Sequence, residues 1–375
     1  MDRGKKPSNL FGKNSKIYMD LKDIVRENAL PFLPAKSLRR CRGVCRDWKL
    51  TISTPFFAHN QSNSFNHVSG FFVQTAPGVP SFVSLDPSAY GVPDPSLSFL
   101  PEPVDIRSSS NGLLCCQGHT GYRAYYICNP VTKQWRKLPK PEADHGTDPV
   151  VVLIFEPSLL NFVAEYKLVC AFPSELDGIE FEIFSSEKGS WRISADICFG
   201  EASLIPTSGV YVNGTVYWLS SRGLLALDLT TERSKILYQG PGTLGVMNKK
   251  LCAAYLHGSQ RLNVSLLSNT HSNTMQMHSQ AKTWVSLKPS INPNLPVPVA
   301  TSNCYAGEYD YYIPTRSEVR DGVLFVDRDM VLIRAGGTLY SYDMKKKTTA
   351  TLGEVDSKAR IFGYVNSLVE LNTSS

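Results

Sequence analysis

A small helical unit followed by one large all-β domain is the fold this 375-residue sequence predicts. The β domain reads as a β-propeller of six blades, with a β-sandwich of the same strands as the alternative. Three observations predict this. Between Asp20 and Phe57, apolar residues recur at the spacing of short helices. From residue 69 onward that spacing disappears, and short apolar runs bounded by turn residues replace it. Within the second region a strand–turn–strand theme repeats: Trp135 and Trp191 are 56 residues apart, and Trp191 and Trp284 are 93 apart, about two periods of 46. Repeats of about 40–50 residues with four strands each are the sequence sign of a propeller.

Residues 1–19 are basic, polar and poor in branched apolar side chains, and are expected to form a disordered tail. Asp20 is placed to cap a helix carrying Leu21, Ile24, Val25 and Ala29. Leu33-Pro34 breaks the chain, because proline restricts the residue before it and starts a helix well. Leu38, Cys41, Val44, Cys45, Trp48 and Ile52 mark the apolar side of the next one or two helices. Ser53-Thr54-Pro55 stops that run and starts a last turn with Phe56 and Phe57, giving three short helices over 20–58. A unit of about 40 residues makes little core alone. Its surplus of apolar side chains therefore packs on the following domain or faces another protein.

Residues 58–68 read as a connector, and the β domain as 69–371. A first strand unit lies near 69–91. In 110–139, Leu113–Cys116 and Tyr125–Cys128 are strands, residues 129–132 turn, and Trp135–Leu138 ends the unit. The same order runs through 166–194, 209–237, 251–287 and 321–352, with an Asn213-Gly214 hairpin turn in the third. Residues 361–365 and 368–371 remain as closing strands that complete the first blade. The recurring tryptophans read as blade packing.

Charge is unevenly placed. Of a formal net charge of +6, the whole excess lies within the first 60 residues, and 61–375 are slightly acidic. The large domain thus gives no charge argument for nucleic acid. Arg39, Arg40, Arg42, Arg46 and Lys49 form the dense part of the excess and read as a solvated face that steers an acidic partner. Nine cysteines, with no Cys-x-x-Cys and no apolar leader, point to reduced thiols and to no metal site. No window reaches the 18 or so apolar residues of a membrane helix, and no membrane partner is expected.

The residues Leu33-Pro34, Lys36-Ser37-Leu38 and Val44-Cys45-Arg46-Asp47-Trp48, followed by Ile52, Ser53, Pro55 and Phe56, resemble the F-box of plant F-box proteins. The family commonly opens its first helix with Leu-Pro, where this chain has Leu21-Lys22. SSSNGLLCC at 108–116 and YYICNPVTKQWRKLP at 125–139 resemble the F-box-associated, kelch-like domain of the same proteins. The double glycine of kelch repeats has its counterpart only at Gly336-Gly337. The resemblance implies a substrate-recognition subunit of an Skp–cullin–F-box ubiquitin ligase. Leu21, Ile24, Leu33, Pro34, Leu38, Val44 and Trp48 would contact an Skp-type adaptor, and through it a cullin scaffold. The propeller would hold a protein substrate for ubiquitination and proteasomal degradation, in the cytoplasm or nucleus, with no catalysis and no cofactor of its own. The alternative is a propeller-based ligand-binding protein or enzyme whose F-box does not function.

No phosphate loop, nucleophile elbow or metalloprotease helix is visible. The alternating acids Glu180 and Glu182, and Asp327 and Asp329, read as the solvated side of exposed strands. The irregular segment 289–320 is the leading candidate for substrate contact, through Tyr305, Tyr309, Tyr311 and Tyr312. Loops 141–149 and 173–179 follow it.

Overall fold

The computed structural model describes residues 21–159, 164–200, 203–237, 242–257, 261–268, 284–287, 290–296 and 321–371. The N-terminal unit holds four α-helices, α1 (Leu21–Asn28), α2 (Ala35–Cys41), α3 (Arg46–Ile52) and α4 (Pro55–Ser64), with a 3-10 turn at Leu30–Phe32. The fourth corrects the expectation of three helices and a connector from residue 58. Thr54 accepts a hydrogen bond from the Phe57 N–H at 3.1 Å, and Pro55 occupies the first helical turn. The Asn- and Ser-rich remainder is weakly helical by propensity. It is held by tertiary burial of Phe57, Ala58, His59, Gln61 and Ser62.

Up-and-down strands follow: β1 (Gly70–Gln74), β2 (Ser81–Ser84), β3 (Val104–Ser110), β4 (Leu113–Gly118), β5 (Tyr125–Asn129), β6 (Gln134–Lys137), β7 (Val150–Phe155), β8 (Tyr166–Ser174), β9 (Gly178–Ser185), β10 (Ser190–Ile193), β11 (Cys198–Phe199), β12 (Val210–Val212), β13 (Thr215–Ser220), β14 (Gly223–Asp228), β15 (Arg233–Leu237), β16 (Thr243–Met247), β17 (Lys250–His257), β18 (Arg261–Leu267), β19 (Trp284–Ser286), β20 (Gly322–Asp327), β21 (Met330–Ala335), β22 (Thr338–Asp343), β23 (Thr348–Glu354) and β24 (Arg360–Tyr364). Among the described residues they form five sheets: β2-β1-β24, β3 to β6, β7 to β10 with β11 added, β12 to β15, and an eight-stranded sheet. The last joins the meanders β16–β19 and β20–β23 through a parallel pairing of β16 with β20 at Val246 and Asp327.

Four of these sheets have the four or more strands of a blade, so the expected six separate blades are not what forms. Two repeats share backbone hydrogen bonds and become one sheet, and the closing sheet has only three strands. The propeller type itself holds. Buried clusters lie between successive sheets: Leu113, Tyr125, Leu168 and Phe184 in one seam, and Val152, Phe181, Trp218 and Leu225 in the next. A sheet buried on both faces needs no alternation, and β4, β5, β7 and β14 are buried along their whole length.

The ring closes as expected through the chain's last strand. β24 pairs with β1 from Gly70↔Tyr364 to Gln74↔Arg360. Residues 368–371, expected as a further strand, instead lie in an irregular strap over 366–371. The Asn213-Gly214 turn is present, with φ of 47° and 85°. A second Asn-Gly turn, at Asn111-Gly112, requires glycine for another reason: a Cβ there would lie 2.2 Å from that of Ser367 in the strap.

Trp135, Trp191 and Trp284 all fall on the fourth strand of a meander, opposite Cys128, Phe184 and Leu267. The period therefore marked the repeat, but the reading as core is corrected for Trp135, which is 37% exposed. Trp191 is buried, 5.3 Å from the Phe184 ring, and its Nε1 donates to the Pro139 carbonyl at 2.8 Å. Trp218, outside the period, is the fully buried one and stacks on Phe181 at 5.9 Å.

Of the acids read as solvated, Asp329 is exposed as read, and Glu182 and Asp327 are corrected. Glu182 is fully buried. Asp327, beside the sheet junction, has its carboxyl pushed up to about 6 by burial, with Asp329 adding and Arg328 opposing. A raised carboxyl binds its proton more tightly in the folded chain, so its contribution is favourable below about pH 4 and is lost as pH rises through about 6. Asp327→Asn is expected to raise stability at pH 7 by about 1–3 kcal/mol and to leave it unchanged near pH 4. Urea melts at both pH values check this, and a variant less stable at pH 7 would refute it.

Candidate protein-interaction surfaces

The helical unit sits on the β domain through its inner side. Leu30, Leu38, Ile52 and Phe57 form its buried core, with Leu33, Cys41, Trp48 and the strap residue Leu368 packed against them. Ala35 enters the neighbouring propeller seam beside Phe72 and Tyr364. Gln61 of α4 binds both parts. Its Nε2 donates to the carbonyls of Leu33 (3.2 Å) and Asn366 (3.1 Å), and its Oε1 accepts from the Leu368 N–H at 3.1 Å. Arg39 donates to the Val131 carbonyl, Lys36 Nζ to that of Pro87 at 2.6 Å, and Arg328 to Asn66. Part of the basic cluster is therefore spent on the protein's own β domain.

The seven residues assigned to adaptor contact divide in two. Leu21 (71%), Val44 (65%) and Ile24 are exposed. Pro34 and Leu38 are buried, while Leu33 and Trp48 are half-buried against the unit's core. Of these four, Leu33, Leu38 and Trp48 belong to the unit's core cluster. Sequence reasoning missed three exposed apolar residues of the same unit, Phe32, Leu50 and Phe56. Phe56 was legible as the exposed half of an adjacent Phe pair whose other member, Phe57, is buried.

Tyr305, Tyr309, Tyr311 and Tyr312 lie outside the described residues. Loop 141–149 is held at two points. The His145 imidazole stands between Tyr125 and Glu182, with Nε2 2.7 Å from Glu182 Oε2 and Nδ1 3.0 Å from the Tyr125 hydroxyl. Glu182 also accepts from the backbone N–H groups of Glu142 (2.8 Å) and Ala143 (3.2 Å). Burial pushes its carboxyl up, but these hydrogen bonds and His145 outweigh that and hold it below the usual range. The order Tyr–His–Glu has the form of a proton relay. The His145 and Glu182 side chains are almost wholly buried, so they brace the loop rather than meet a substrate.

Farther along the loop, Asp148 joins two guanidinium groups. Arg107 Nη1 and Arg360 Nη1 both lie 2.8 Å from its Oδ1, and Arg107 also pairs with Asp105 at 3.0 Å. This ties β3, the loop and β24 across the ring closure. Burial pushes the thiols of Cys115, Cys170 and Cys252 up, the last to about 12, so they are not nucleophiles at neutral pH.

Residues 97–239 match the protein family described as F-box protein At3g26010-like, beta-propeller. Among curated proteins, the Arabidopsis thaliana F-box protein At5g07610 is 32% identical over 262 residues, covering 63% of this chain and 60% of that protein. F-box protein At5g49610 of the same plant is 35% identical over 217 residues, 52% of this chain and 58% of that protein. A putative F-box/kelch-repeat protein, At1g15680, is 28% identical over 176 residues, 42% of each. The chain thus spans about three fifths of the length of the first two relatives. By sequence the chain is similar to plant F-box proteins, and over residues 97–239 to the β-propeller of that family.

Proposed function

We propose that the chain is the substrate-recognition subunit of an Skp–cullin–F-box ubiquitin ligase. The helical unit serves as the F-box, and the propeller holds a protein substrate for ubiquitination and degradation. The observation that carries this reading is the two-sidedness of the helical unit. Its inner side is sealed onto the propeller by Gln61 and Ala35, while Leu21, Ile24 and Val44 remain exposed. Exposed apolar side chains on a small ordered unit fit a protein interface. In this role the chain catalyses nothing; it raises the effective concentration of substrate near the ubiquitin donor by tethering. Leu21, Ile24 and Val44 touch the adaptor, and Leu33, Pro34, Leu38 and Trp48 set the helices that present them.

Co-purification with an Skp-type adaptor tests this. The intact chain is expected to capture adaptor stoichiometrically. Leu21→Asp/Val44→Asp, chosen because neither residue is buried, is expected to melt like the parent and to bind about 100-fold more weakly, the effect of losing two apolar anchors. No capture by the intact chain, or undiminished capture by the variant, would sink the proposal.

A further inference from the structure

Strand β11 departs from the meander pattern: it is an added strand at the tip of the β8–β9 hairpin, where Cys198 pairs with Ile179 and Phe199 with Gly178. The approach is tight. A Cβ at Gly178 would stand 2.8 Å from the Cys198 carbonyl oxygen, and the Gly200 N–H donates to Asp177 O at 2.8 Å. Arg222 Nη1 fixes the same strand from the next sheet by donating to the Phe199 carbonyl at 3.1 Å. Yet this braced strand buries no large side chain of its own. Phe199 is 69% exposed, and Leu176, two residues from its pairing partner Gly178, is 63% exposed. An ordered backbone that holds two large apolar groups in solvent gains nothing for the fold by doing so.

Charge frames the pair. Glu175 and Asp177 flank Leu176 and are exposed, and the Glu180 carboxylate lies at the same tip, accepting from Ser174 Oγ at 2.5 Å. Among the described residues named at this tip, the guanidinium of Arg222 stands against these three carboxylates. The tip also lies at the far end of its sheet from the helical unit. Asn111, whose carbonyl accepts from Ser62 of α4, donates to the Phe155 carbonyl, and Phe155 pairs with Tyr166 at the opposite end of β8. The nine-residue length of β8 separates the two ends by about 25 Å.

We propose that Phe199 and Leu176, rimmed by Glu175 and Asp177, form a docking site for a peptide segment that carries an apolar side chain flanked by lysine or arginine. The apolar group of the segment covers Phe199 and Leu176 while its basic neighbours meet the carboxylates. Naming that segment as part of a ligase substrate rests on the proposed receptor function; the binding itself does not.

The test uses the full chain co-expressed with an Skp-type adaptor, and three short fluorescein-labelled peptides. Each has a Leu-Phe centre, flanked by Lys/Arg, by Asp/Glu or by Ser/Gly. Fluorescence anisotropy is expected to show binding of the basic-flanked peptide above the other two. Phe199→Ser/Leu176→Ser should weaken it tenfold or more, and Glu175→Lys/Asp177→Lys should shift the preference to the acidic-flanked peptide. No binding of the basic-flanked probe, equal binding of all three, or binding untouched by both variants would overturn the proposal. Adaptor capture, read on the same preparations, is expected to be unchanged in both variants. Peptide binding without adaptor capture by the parent chain would refute the receptor reading and leave the docking site standing.

Discussion

A chain ending at Ala359 is expected to show no cooperative unfolding transition. The deletion removes β24, and with it the backbone pairing that joins the last strand to β1. It also takes Tyr364, fully buried, with its ring 5.3 Å from Phe72 and its hydroxyl donating to Asn129 Oδ1 at 3.1 Å. Phe362, Val365, Val369 and Leu371 leave with it, all buried. At about 1.5–3 kcal/mol for each large apolar side chain returned to water, the loss is about 10 kcal/mol. That equals the whole stability of an ordinary domain. The Arg360–Asp148 pair and the hydrogen bonds of the strap to Gln61 are lost as well. Calorimetry or a urea melt followed by tryptophan fluorescence checks this. A sharp transition in the shortened chain would show that the remaining strands close without β24.

Glu182→Ala should cost about 3–5 kcal/mol, because removing one partner of a buried pair leaves the other unpaired. Here the orphaned groups are the His145 imidazole and the N–H donors of Glu142 and Ala143. The melting temperature is expected to fall by about 10 °C, and loop 141–149 to become open to proteolysis. The pH dependence carries a sign. Glu182 is held below the ordinary carboxyl range in the folded chain. Its contribution is therefore present above about pH 4.3 and is lost as pH falls through its lower folded value. The stability gap between parent and Glu182→Ala is expected to narrow below about pH 4. A gap that stayed constant down to pH 3 would show that Glu182 acts through packing alone.

The parts of this fold legible in the sequence are those set by local chemistry. The strand repeats, the Asn213-Gly214 turn and the fourth-strand position of the tryptophans all follow from turn residues and period. The strands β3 and β7 were not read as part of their repeats, since VDIRSSS is mostly polar and VVVLIF stands 11 residues before the unit it belongs to. α4 was hidden because its stability comes from Gln61 and Ser62 bonding distant chain, and from the burial of His59, rather than from its own composition. The blade count failed at the pairing of Val246 with Asp327, residues 81 apart, where the Arg328 N–H donates to the Val246 carbonyl at 2.6 Å, a contact that no local pattern records.

The surface of the helical unit was only partly legible. Of the seven residues named from the motif, Leu21, Ile24 and Val44 are exposed, but spacing does not say that Leu33, Pro34, Leu38 and Trp48 are buried or half-buried. Glu182 shows the reverse. Alternation with Glu180 suggested a wet strand face, and only the arrival of loop 141–149 gives the carboxylate a reason to be buried.

The seating of α4 on residues 366–371 has a consequence for the order of synthesis. The helical unit is synthesised before the β domain, yet the carbonyl of Asn366 and the N–H of Leu368 that receive Gln61 are made 305 and 307 residues after it. Throughout translation the unit waits without its seat, its apolar inner side open to chaperones. Only a chain read through to its last strand can settle it. The helical unit is thereby docked on finished β domains and left adrift on truncated ones.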